Sequence, residues 1–169
     1  MSVFRRSLPV RRLGPDRFRV SFEPYERDQL RSFFAQLREL LADQSGPASG
    51  EPHDQPDDRL QRLFPPAYVD DPERQAEYHR FMHDELLTSK LADLDLVAAT
   101  LDARELDEAG LMAWVRATNG VRLVLGTILD VQEDTSIAHL ADDDPQLQGY
   151  LVYEFLGMVV DVMVGALAE

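Results

Sequence analysis

"WVRATNGVRLVLG", residues 114–126, decides between two kinds of fold. An Asn-Gly pair between apolar runs is the strongest short signal for a β-hairpin. The residues upstream argue otherwise. In "RELDEAGLMAWV", Asp107 has the side chain of a helix N-cap, and Leu106 and Leu111 stand where a hydrophobic staple places its two apolar residues. A helix begun at Asp107 is already underway at Ala113 and Trp114, which leaves no room for a two-residue hairpin. What remains is one helix to about Asp130, or two helices meeting at Asn119. Asn and Gly inside a helix together cost roughly 1.5 kcal/mol relative to alanine. Burial of Val121, Val124, Leu125 and Ile128, at roughly 1.5 kcal/mol or more for each large side chain, outweighs that. One helix, with a bend allowed at Gly120, is the expectation.

Advancing about 100° per residue puts Leu111, Trp114, Val115, Thr118, Leu125 and Leu129 on one arc, with Arg122 in its middle. The same exercise on residues 145–168 collects Tyr150, Glu154, Gly157, Asp161 and Gly165 into one stripe. A guanidinium in a core requires a carboxylate, because an unpaired buried charge costs several kcal/mol. The expected structural site is therefore Trp114, Asn119 and Arg122, with Glu154 or Asp161 as the ionic partner. The alternative is that Arg122 snorkels to the surface and the stripe faces water.

Outward from this core the chain reads as mainly α, a bundle of about four to six helices behind a small N-terminal β-hairpin, in a single domain. Phe18, Val20 and Phe22 alternate with polar residues as in a half-buried strand. Gly14-Pro15-Asp16 supplies a turn, and the partner strand is placed around Phe4 to Val10, at an edge because of Pro9. Leu30, Phe33, Phe34, Leu37, Leu40 and Leu41 carry helical spacing from about Pro24 to Ala42. Residues 43–58, rich in Pro, Gly, Ser and acids, are expected to form a flexible loop. Asp70 or Asp71 caps a stretch over 72–102 that is either one long helix or two, the second capped at Thr88-Ser89. In "DDDP", Asp144 is read as the cap of the last helix and Pro145 as its first turn. From Leu151 to Leu167 only Glu154, Gly157, Asp161 and Gly165 are not apolar. The two carboxylates and the lack of a basic flank argue against a membrane span. A central core helix, or one that completes its burial in a homodimer through 145–168, is expected instead.

The net charge of −14 is uneven. Residues 1–40 hold nine arginines and five acids (+4), and the rest holds eight basic and 26 acidic side chains (−18). So acidic a surface disfavours nucleic acid and steers the protein toward basic partners. The arginines of the hairpin could meet an acidic partner or RNA, or simply discourage edge pairing. Lys90 is the one lysine. With no cysteine, disulfides and thiolate chemistry are excluded, which suits a cytoplasmic location. The first residues lack the apolar run of a signal peptide.

Catalytic motifs are sparse. His79 and His83, four apart in "EYHRFMHDE", could face one metal with Glu77, Asp84 or Glu85 helping, but two ligands are a weak signal. No Glu-x-x-His, Walker loop or G-x-G-x-x-G occurs, and no cofactor is expected.

Three segments, "LFPPAYVDDPERQAEYHRFMHDEL", "WVRATNGVRLVLGTIL" and "YLVYEFLGMVV", resemble a family of domains of unknown function from high-GC Gram-positive bacteria. The most specific part is Trp-x(4)-Asn-x(2)-Arg-Leu-x-Leu-Gly, here Trp114, Asn119, Arg122, Leu123, Leu125 and Gly126. The resemblance implies a mostly helical protein and a gene neighbourhood beside the Clp-protease adaptor for N-degron substrates. It supplies no catalytic residues. The expected role is a cytoplasmic regulatory or protein-interaction module. The runner-up is a small metal-dependent hydrolase at His79 and His83.

Overall fold

The computed structural model describes residues 9–44, 57–132 and 143–169. The fold is mainly α, with a small antiparallel sheet at one end. Strands β1 (Val10–Gly14) and β2 (Arg17–Val20) form the hairpin, and the turn is the one expected from Gly14-Pro15-Asp16. The partner strand lies later than the sequence pattern suggests. Val10 pairs with Val20, so β1 follows Pro9, whose missing N–H would break a ladder. Phe4 to Leu8 lie outside the described residues. A third strand, β3 (Glu105–Leu106), adds to β2 with Phe18 opposite Leu106. This covers the edge of β2 that the arginines were expected to protect. Arg17 and Arg19 instead pair with Glu105 of the new strand.

Helix α1 (Pro24–Ala42) begins at a reciprocal capping box between Glu23 and Glu26. Its buried side is Leu30, Phe34, Leu37 and Leu41. Residues 45–56 of the expected loop fall outside the described residues. The chain resumes in a 3-10 turn, Asp58–Leu60, whose Leu60 is fully buried and anchors it to the core. Helix α2 (Pro72–Thr100) is one helix, capped by Asp71 and uninterrupted at Thr88-Ser89. Leu87, Leu94 and Val97 bury its second half, while Phe81 near its start is 73% exposed.

Helix α3 (Glu108–Ile128) runs unbroken through Asn119-Gly120. The Asp107 carboxylate accepts the Gly110 N–H at 2.7 Å. Leu106 and Leu111 are both buried, as the staple requires. Asp16, from the hairpin turn, accepts the Glu108 N–H at 2.7 Å. That bond docks the sheet on the positive end of α3. The helix ends in a Schellman motif. Asp130, at φ 51°, takes the left-handed position. The Val131 N–H reaches the Gly126 carbonyl at 2.9 Å.

Helix α4 (Leu147–Ala168) starts two residues later than the cap read from "DDDP". Asp144 does accept a backbone N–H, from Gln146 at 2.8 Å, but in the turn before the helix. Arg12 of β1 closes the other end, donating to the carbonyls of Ala166 at 3.2 Å and Leu167 at 2.9 Å. A cation there favours the helix dipole. The expected central position of α4 is not what forms. The centre of the bundle is α3, which packs against α1, α2, α4, the 3-10 turn and the sheet. α4 lies on the outside and buries one side, Leu156, Val159, Met163 and Ala166.

Candidate functional site

The residues around Asn-Gly resolve into separate physical jobs. Trp114 is fully buried. Its ring stacks on Phe22 at 5.9 Å and meets Phe34 edge-on at 6.0 Å. The indole N–H donates to the Thr100 hydroxyl at 2.9 Å, and that hydroxyl donates on to the Leu96 carbonyl at 2.8 Å. Trp114 therefore ties α3 to α1, to the end of α2 and to the exit of the sheet, and touches no open site. Gly120 is there for contact rather than for a turn. A Cβ on it would lie 3.2 Å from Leu37 Cδ2 and 3.5 Å from Leu63 Cδ2. Gly126 does the same against α4, where a Cβ would meet Tyr153 at 3.0 Å. Within this core the Thr118 hydroxyl is buried without a hydrogen-bond partner among the described residues.

Arg122 does not make the expected ion pair. Among the described residues no carboxylate lies within salt-bridge distance of it, and its buried Nε has no hydrogen-bond acceptor. Its guanidinium carbon stands 4.5 Å over the Tyr153 ring, and its stem lies along Gly157, whose absent Cβ would be 3.3 Å from Nε. The stripe on α4 is real, but Glu154 and Asp161 are at the centre of its exposed side. The reason is angular. The contact line of two packed helices is set by their side chains, and a wheel drawn on each helix alone cannot fix how one rotates against the other. A half-buried Arg122 over an aromatic face keeps its charge toward water and needs no carboxylate.

His79 and His83 do come together on α2, with ring centroids 4.5 Å apart and planes within 23°. Phe64 covers His83 at 5.0 Å. A chelated metal must lie in the plane of each imidazole along a nitrogen lone pair, and two nearly parallel stacked rings share no such point. Burial pushes the His83 imidazole below its usual value, and the neighbouring His79 adds to this against the opposing pull of Asp84. Among the described residues no cluster of three metal-ligating side chains occurs.

Two concave regions flank the middle of α3. The first is an apolar groove of about 360 Å³, floored by Val121, Val124 and Leu125 of α3 and walled by α1 and α4. The second is a cleft of about 290 Å³ between α1, α2 and α3, with Leu37, Leu86 and Leu123 among its apolar lining. Its polar side is Ser89, Lys90 and Asp93 of α2 facing Arg116 and Asn119 of α3. Arg116 holds both oxygens of Asp93, each at 2.7 Å. The Lys90 ammonium is left over. It lies 5.5 Å from the Phe64 ring centre and makes no hydrogen bond or salt bridge among the described residues, Asp93 acting on it only through space. Burial lowers its pKa, and Asp93 only partly offsets this. Of the residues singled out from the sequence as a site, Asn119 alone reaches this cleft. The others there carry no signal beyond Lys90 being the sole lysine, because a cleft assembled from three helices leaves no local motif.

No curated protein and no solved structure matches this chain. The family described as a domain of unknown function, DUF2017, matches residues 4–167, nearly the whole length, and the chain belongs to that family.

Proposed function

We propose that this protein is an interaction module whose recognition surface is the outward side of α4, and that its partner presents a basic amphipathic helix. The observation that carries this reading is a mismatch. α4 is apolar enough over 18 residues to pass for a membrane span, yet only 22% of that window is buried. Leu151, Met158 and Val164 are each nearly half exposed. Apolar surface gathered on one helix side in this way marks a contact surface.

Three kinds of cover compete, and charge separates them. By length and composition α4 could cross a membrane. Glu154 and Asp161 would then sit in hydrocarbon, and the helix has no Lys or Arg to anchor it to anionic headgroups. A second copy packed two-fold about Met158 would bring Glu154 against Asp161 of that copy, carboxylate on carboxylate. A helix bearing arginines or lysines seven residues apart meets both acids, which are two turns or about 10.5 Å apart on α4. Its apolar residues then fall on Leu151, Met158 and Val164. The overall charge of −14 steers such a partner in. The gene neighbourhood implied by the resemblance makes Clp-dependent proteolysis, in the cytoplasm, the process in which to look for it first.

The test is a pair of designed helical peptides, identical in apolar residues and carrying either arginine or glutamate every seven positions, titrated by fluorescence anisotropy. The arginine peptide binds the wild type, weakens as salt rises, and is lost with Glu154→Arg plus Asp161→Arg; the glutamate peptide gains binding to that double variant. Indifference to peptide charge would refute the reading. So would a wild-type dimer that Met158→Glu converts to monomer, which assigns the side to a second copy. Uptake by phosphatidylcholine vesicles assigns it to lipid and refutes the reading equally.

A further inference from the structure

The cleft between α2 and α3 has a chemistry independent of α4. Lys90 and Arg116 supply two positive charges around the single carboxylate of Asp93 in the cleft lining, and Arg116 holds both oxygens of that carboxylate. The cleft lining is left with one net positive charge, in a protein whose overall charge is −14. Lys90 is half-buried with its ammonium still reached by water, so an anion can take a place beside it. The Asn119 amide and the Ser89 hydroxyl, which line the same cleft, can both donate hydrogen bonds. Beside them the lining is leucine: Leu86 one turn from Lys90 on α2, Leu123 one turn from Asn119 on α3, and Leu37 of α1. The space, about 290 Å³, lies at the small end of ligand pockets.

We infer that this cleft binds a small organic carboxylate with a compact apolar body, its carboxylate held by Lys90 and Asn119 and its body lying on the leucines. The charge of the ligand follows from the cleft. One spare cation matches one negative charge, whereas a phosphate dianion would set its second charge against Asp93 and the acidic field of the protein. The apolar requirement follows from the wall, which gives a bare ion such as acetate nothing to cover. Lys90 acts here as a charge anchor, and no covalent step is invoked.

The chain offers its own reporter. Because Lys90 is the only lysine, protein labelled with ¹³C at lysine Cε gives a single side-chain signal. Hexanoate titrated into the full chain is expected to move that signal saturably at one site and to raise its titration midpoint, since an adjacent anion favours the charged amine. Lys90→Met should weaken hexanoate at least about tenfold by calorimetry, as expected for loss of a charged hydrogen-bond partner. Lys90→Arg should retain part of the binding, and unchanged melting curves show that both variants fold. Hexanol should bind at least about tenfold more weakly than hexanoate. A lysine signal that stays still at saturating hexanoate would overturn the assignment, as would undiminished binding by Lys90→Met, which places the ligand in the groove beside α1 and α4. Hexyl phosphate binding more tightly than hexanoate would overturn the choice of a carboxylate.

Discussion

Helices α3 and α4 lie side by side, and the one with the more apolar sequence is the more exposed. α3 carries Arg116, Asn119 and Arg122 in its middle, yet ten of its residues are buried, glycines included. α4 has no basic residue and only two acids in its span, yet four of its residues are buried. Apolar content therefore does not rank these helices by depth. Depth follows the number of sides that meet another element. α3 meets neighbours on most of its circumference, while α4, among the described residues, rests on α3 and the sheet and leaves a side exposed.

The sharpest break of this contrast comes from Trp114. Its ring is bounded by Phe22 and Phe34, and its N–H supplies the Thr100 hydroxyl. Trp114→Ala should cost about 3–5 kcal/mol of stability in urea unfolding, since it opens a cavity there and strips that hydroxyl of its donor. A loss no larger than about 0.5 kcal/mol, the scale of a surface change, would mean that α3 is not the hub of the bundle.

A smaller effect compares glycine with glycine. Leu37 and Leu63 already stand at contact distance from the missing Cβ of Gly120. Gly120→Val should therefore cost about 1–3 kcal/mol by overpacking. Gly165 has nothing within 4 Å for a Cβ to meet. Gly165→Ala should gain roughly 0.5 kcal/mol from the restricted unfolded chain. Both are read from thermal melts of the full chain. Equal responses at the two positions would erase the distinction between a helix covered on most sides and one covered on a single side.

Much of this architecture is legible in the sequence where a single side chain settles a local question. Pro24, Asp71 and Asp107 mark helix starts because each satisfies or spares a terminal N–H within a few residues. "DDDP" misleads by two residues because Asp144 spends its carboxylate on the Gln146 N–H in a turn, and the helix starts after Gln146 with no side-chain cap. β3 leaves no trace, since two residues that pair only with β2 have no periodicity of their own. The side of α4 that would be buried is equally hidden. When nearly every position is apolar, the two acids are the only compass, and a wheel turns them inward to Arg122 when they point out. The ionic partner of Arg122 fails for the same reason, and the Lys90 cleft is out of reach because its parts lie on three helices.

The smallest expected effect bears most directly on α4. Met158, at the middle of the outward side, is 48% exposed. Met158→Gln should change stability by no more than about 0.5 kcal/mol, as is usual for surface positions. Met163 is fully buried on the opposite side of the helix. The same change there removes apolar contact and leaves an amide to satisfy, at several times the cost. If Met158→Gln instead destabilises as strongly as Met163→Gln, the outward side is already covered in the isolated protein. A melting temperature that rises with protein concentration would then identify the cover as a second copy, because association stabilises by mass action and an intramolecular contact does not.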